Sequence, residues 1–113
     1  MNLNEIILQI RQALQNLDVN KVILFGSWAV GNQNIDSDID LLVITNDNYI
    51  PVSFSGKMII KLRISTALNG LRKHSDNDLI VQTKPMFDQF VSLDSGFKRE
   101  ILNTGRIIYE ADN

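Results

Sequence analysis

Lys21-Val22-Ile23-Leu24-Phe25 is a short, continuous apolar run that stops at Gly26. A run without polar alternation suits a strand buried on both faces, which calls for helices packed on the sheet. A second strand is expected over Ile39–Thr45, where Leu41-Leu42-Val43 again reads as core. Helices are legible around these strands. Leu3, Ile6, Ile7, Ile10, Leu14 and Leu17 recur at three and four residues, the spacing of one helix face, with Asn2 or Asn4 available as its cap. A loop rich in turn formers (Asn46, Asp47, Asn48, Pro51) precedes a helix expected from about Lys57 to Lys73, with Ile60, Ile64, Ala67, Leu68 and Leu71 on its apolar face. A third strand is expected over Asp78–Thr83, two short helices around Met86–Val91 and Gly96–Leu102, and a last strand over Arg106–Tyr109. The order predicts an α/β domain with helices packed against a mixed sheet.

The chain of 113 residues is long enough for one core and no more, so a single domain over residues 1–113 is expected. Its 44% apolar and 21% charged residues are those of a globular protein. No apolar run reaches bilayer length, and Met1-Asn2-Leu3-Asn4-Glu5 lacks the features of a secretory signal. With no cysteine, neither disulfides nor thiolate metal sites are available, which fits a cytoplasmic protein. A net charge of −2 with scattered Lys and Arg argues against direct DNA binding.

The chemistry concentrates between Phe25 and Ile44. On a strand, Asp38 and Asp40 share one face while Ile39 and Leu41 turn to the other. Their Cα atoms would lie about 6.6 Å apart, with a repulsion on the order of 2.5 kcal/mol at an effective dielectric near 20. No basic residue lies in that stretch, and the nearest in sequence is Lys21. A proton, a basic group from elsewhere or a divalent cation could offset the repulsion, and hard oxygen ligands suit Mg²⁺. Asp78 opens the third strand and would join the pair if the two strands are neighbours; three acids can hold two metal ions about a phosphoryl displacement. Gly26 permits a tight turn and Ser27 can cap a short helix through Trp28-Ala29-Val30, leaving N–H groups for a nucleotide's outer phosphates. Neither a Walker loop nor a Gly-x-Gly-x-x-Gly fingerprint is present.

Gly26-Ser27, ten residues, then Asp38-Ile39-Asp40 within Ser37–Val43 resembles the signature of the polymerase-beta-like nucleotidyltransferases, specifically the minimal nucleotidyltransferase (MNT) domain proteins. The resemblance covers nearly the whole chain, through Asp78 to the tail Phe97–Glu110. It implies the fold of that superfamily, two Mg²⁺ ions on Asp38 and Asp40 with help from Asp78, and ATP phosphates held by Gly26 and Ser27, with Ser37 beside them. It departs at Val30, where many members carry Arg. The resemblance further implies an antitoxin that works beside an all-helical HEPN toxin in a hetero-oligomer, moving AMP from ATP to a hydroxyl of that partner, a tyrosine by expectation. Two other classes stay open. One is an inactive module that neutralises its partner by contact, using exposed residues such as Ile50, Val52 and Phe54. The other is a small-molecule nucleotidyltransferase of the antibiotic-modifying kind, completed by another chain.

Several residues have a plainer alternative. Asp76 rivals Asp78 on the same strand face, and Asp36 and Ser37 shape the turn, where Ser37 could also reach a carboxylate. Trp28 suits either stacking or core packing, while His74 reads as a solvated helix-end residue. Lys84, Lys98 and Arg99 read first as solvated charges, and Tyr109 as sheet packing.

Overall fold

The computed structural model describes residues 2–34, 37–71 and 79–111. Along them run α1 (Leu3–Leu14), β1 (Val19–Phe25), α2 (Ser27–Val30), β2 (Asp40–Thr45), α3 (Phe54–Ala67), β3 (Leu79–Thr83), α4 (Lys84–Ser92), α5 (Gly96–Thr104) and β4 (Arg106–Glu110). The strands form one sheet in the order β3-β2-β1-β4. β1 is antiparallel to both β2 and β4, whereas β2 and β3 are parallel, so the sheet is mixed as expected.

The two apolar runs are buried on both faces for the reason their composition suggested, but alternate residues feed two cores, one on each face of the sheet, where chain length had suggested a single one. Val22, Leu24, Leu41 and Val43 pack with Ile6, Ile10 and Leu14 of α1 and with Ile64 and Leu68 at the end of α3. Ile23, Leu42 and Ile44 turn the other way and meet Ile101 of α5, with Phe25, Phe87 and Phe90 closing over them. Each such apolar side chain contributes about 1.5–3 kcal/mol on burial. Edge-on ring contacts continue the second core outward, with Phe25 to Phe97 at 5.4 Å and Phe90 to Phe97 at 5.7 Å between centroids. Tyr109 packs against the first core from β4, opposite Val22.

Helix starts follow their capping residues. Asn2 Oδ1 accepts from the Glu5 N–H at 2.9 Å, Ser53 Oγ from Gly56 at 3.0 Å, Thr83 Oγ1 from Met86 at 3.4 Å and Ser95 Oγ from Lys98 at 3.1 Å. The Ser53 cap explains why α3 starts three residues ahead of Lys57. It ends at Ala67 and not near Lys73, because Asn69-Gly70 disfavours continuation; Leu68 and Leu71 still pack inward from the turn. Among the described residues, no helix is long and apolar enough to cross a membrane.

Candidate active site

β1 ends where Phe25 lies opposite Asp40, the first residue of β2. One residue on, the chain leaves the sheet through Gly26 at φ 74°, ψ −155°, a conformation open essentially to glycine alone. A Cβ built on Gly26 would lie 2.0 Å from Asp40 Oδ2 and 3.0 Å from Asp40 Cγ. Two demands therefore coincide on Gly26: its backbone angle, and the carboxylate occupying the place of a side chain. Ser27 is the first residue of α2, with Gly26 in the cap position that sequence reasoning gave to Ser27. The Gly26 carbonyl accepts from the N–H groups of Ala29 at 3.0 Å and Val30 at 3.4 Å. Gly31, at φ 82°, closes the turn as Asn32 N–H donates to the Ser27 carbonyl at 3.0 Å. Val30, the departure from the family pattern, is exposed at the end of this turn.

Asp40 is the first residue of β2, and Asp38 lies two residues ahead of it. The β1–β2 ladder stops at Phe25–Asp40 because β1 ends there, so Asp38 precedes the strand. Ile39 and Leu41 pack on the α1/α3 side as expected, and both aspartates are half-buried. The chain ahead of Asp38 is held by a contact that sequence reasoning did not assign. Trp28 Nε1 donates to the Ser37 carbonyl at 3.3 Å, while the ring of Trp28 packs against the first core. Ser37 Oγ accepts from Asn34 N–H at 2.8 Å, the turn-shaping role. A tryptophan one residue past a Gly-Ser turn was the available signal, but nothing in the sequence says which carbonyl its indole reaches.

β3 is adjacent and parallel to β2, and its first residue Leu79 pairs with Leu41. Asp78, the expected third acid, lies outside the described residues, as do Asp36, His74 and Asp76. Among the described residues no group of three or more His, Cys, Asp or Glu side chains is gathered for a metal. The pair Asp38 and Asp40 offers hard carboxylate oxygens beside a turn whose glycine leaves room for one of them, a donor set that fits Mg²⁺.

Several basic residues are engaged with acids elsewhere. Lys21 sits toward the opposite end of β1, 3.3 Å from Glu110 and over the Phe87 ring. Arg99 pairs with Asp94. At the far end of β2, the Asp47 carboxylate accepts from Thr45 Oγ1 at 2.6 Å and from Arg63 at 3.0 Å. Burial acts to raise Asp47, but the Thr45 hydroxyl bond and the Arg63 guanidinium outweigh it and hold the carboxyl below its ordinary range.

Comparison with known proteins finds matches over most of the chain. The family model described as "Polymerase beta, Nucleotidyltransferase" matches residues 8–113. The chain is 27% identical over 92 residues to the "putative protein adenylyltransferase" of Methanocaldococcus jannaschii, covering 80% of this chain and 79% of that one. Its fold is similar to that of a toxin-antitoxin crystallised with AMP-PNP, at TM-score 0.53 and 19% identity, over 93% of this chain and 73% of the other. It is equally similar in fold to a candidate nucleotidyltransferase of Sulfolobus solfataricus, at TM-score 0.53 and 19% identity, over 94% and 75%.

Proposed function

The chain belongs to the polymerase beta nucleotidyltransferase family, and from that premise we propose that it moves AMP from ATP to a hydroxyl of a partner protein. The acceptor in this reading is a tyrosine of a HEPN toxin, and the chain acts as the antitoxin of the pair. The observation that carries the reading is the seating of the Asp40 carboxylate on the Gly26 turn, with Asp38 two residues before it. Support for a protein acceptor comes from the relative named a protein adenylyltransferase. The toxin-antitoxin with AMP-PNP is a neighbour in fold.

Asp38 and Asp40, with Asp78, are the residues that would hold Mg²⁺. Bound there, the ions supply neutralisation of charge on the triphosphate and on the attacking oxygen. The N–H groups of Ala29 and Val30 are directed to the Gly26 carbonyl. The backbone N–H groups ahead of them, at Ser27 and Trp28, together with the Ser27 hydroxyl, are therefore assigned to the outer phosphates. Trp28 and Ser37 fix the chain that carries Asp38. In the transfer, the acceptor oxygen forms a bond to the α-phosphorus, the bond from that phosphorus to the α,β-bridging oxygen breaks, pyrophosphate leaves and the hydroxyl proton passes to water. The protein's part is positioning and the exclusion of alternative geometries.

Incubation of the full chain with ATP, Mg²⁺ and a co-purifying helical protein tests the reading by intact mass. The expected result is a gain of one or more AMP on the partner, abolished by Asp38→Ala with Asp40→Ala. Tight partner binding without transfer, indifferent to those substitutions, would instead identify a contact inhibitor. AMP on a small molecule alone would identify a small-molecule transferase.

A further inference from the structure

β4 brings a basic side chain to the end of the sheet where the candidate site lies. Its first residue, Arg106, pairs with Leu24 of β1, one residue short of Phe25 and its partner Asp40. Residues opposed on antiparallel strands share a face, so Arg106 stands on the face that Leu24 turns to the first core. The irregularity in this pairing comes later, between Ile23 and Val22, and leaves the register of Arg106 with Leu24 intact. The short helix α2 lies on that same face, since Trp28 and Ala29 pack against the first core. Ordinary strand spacings put the Cα of Arg106 about 8 Å from that of Gly26, two residues on from Leu24. A long side chain can span that gap to an anion seated on the turn.

Arg106 is exposed, and among the described residues no acid pairs with it. Other cations are engaged or remote. Lys21, Arg63 and Arg99 face Glu110, Asp47 and Asp94. Arg11 lies in the last turn of α1, which leads into the start of β1, and Lys84 follows the end of β3, both at the opposite end of the sheet. The turn itself supplies no cation, since Ser27–Val30 carries no basic residue. A triphosphate seated there would bring several negative charges beside Asp38 and Asp40, so a nearby cation lowers the cost of binding it. Arginine suits the task because its planar fork donates in parallel to two phosphate oxygens. We propose that Arg106 is a phosphate-binding residue of the site, its guanidinium taking the outer phosphates of the nucleotide on the Gly26–Ser27 turn and the pyrophosphate that leaves. The inference rests on the nucleotidyltransferase reading and adds to it a side chain from the far strand of the sheet.

The test is calorimetric titration of the full chain, with Mg²⁺ present, using a non-hydrolysable ATP analogue, AMP and inorganic pyrophosphate. Arg106→Gln is expected to weaken the ATP analogue and pyrophosphate by about tenfold or more. Binding of AMP, which has no outer phosphates, is expected to stay unchanged. Arg106→Lys is expected to recover part of the loss, since it restores the charge without the fork. Arg11→Gln removes the same charge at the opposite end of the sheet and is expected to change none of the three. Both Arg106 variants should keep the wild-type Tm, because the side chain is exposed. Unchanged affinities for the ATP analogue and pyrophosphate in Arg106→Gln would overturn the proposal and leave the transfer reading standing, with Arg106 a solvated charge on an edge strand. So would an equal loss for AMP, or the same loss in Arg11→Gln. Absence of Mg²⁺-dependent binding of the ATP analogue by the wild type would instead bring down the transfer reading, and the proposal with it.

Discussion

The Asp40 carboxylate occupies the position that a side chain on Gly26 would take, with Oδ2 2.0 Å from where the Cβ would stand. The turn that ends β1 and the acid that begins β2 are thus one unit, and neither can change without the other. Gly26→Ala must either displace Asp40 or move the turn, and must also hold alanine at φ 74°. The strain alone costs about 1–3 kcal/mol. A displacement of an ångström at a transfer site is worth about 100-fold in rate. We expect a lowered Tm and a loss of turnover of at least that size, measured by thermal denaturation and by release of pyrophosphate.

Trp28 reaches the site through the backbone. Its indole N–H holds the Ser37 carbonyl, next to Asp38, at 3.3 Å. Trp28→Phe keeps most of the ring packing and deletes the donor, so it should loosen Asp38 with little effect on the fold. The expected outcome is an apparent Mg²⁺ affinity weakened by about tenfold, the range seen for partners that orient a metal ligand. Nucleotide binding titrated with Mg²⁺ reads this directly. A Tm within a few degrees of wild type would separate positioning from collapse of the core.

Much of this arrangement was legible in the sequence because the signals were local. Continuous apolar runs marked β1 and β2, and the period of α1 was read from Leu3 to Leu14. The Gly-Ser and Asp-Ile-Asp spacing pointed to the candidate site. What escaped depended on where partners end. The start of β2 at Asp40, two residues after Asp38, follows from β1 stopping at Phe25, which the local sequence does not mark. The Gly26–Asp40 contact joins positions fourteen residues apart, so only pairing of the two strands reveals it. Val52 and Phe54 were legible as exposed residues, and both are; Ile59 and Leu62, also exposed, were not singled out.

Asp47 makes a prediction for pH that is independent of the site. Its carboxyl is held below the ordinary value of 3.8 in the folded state. A group lowered on folding contributes stability that is complete above its unfolded pKa and is lost as pH falls through the folded one. Asp47→Asn should therefore destabilise the protein near neutral pH, by no more than about 1 kcal/mol since the pair with Arg63 is part-exposed. The gap between variant and wild type should close as the pH is brought below the ordinary carboxylate range. Urea unfolding at neutral and at acidic pH measures it.

The central claim is that Asp38 and Asp40 together grip a metal–nucleotide complex against the Gly26–Ser27 turn. Calorimetric titration of a non-hydrolysable ATP analogue, with and without Mg²⁺, tests it most directly in wild type and in Asp38→Asn with Asp40→Asn. The account predicts binding in wild type that depends on Mg²⁺, and a loss of that Mg²⁺-dependent part in the doubly substituted protein, by about 100-fold or more. Equal affinity of the two proteins, with the same response to Mg²⁺, would contradict it.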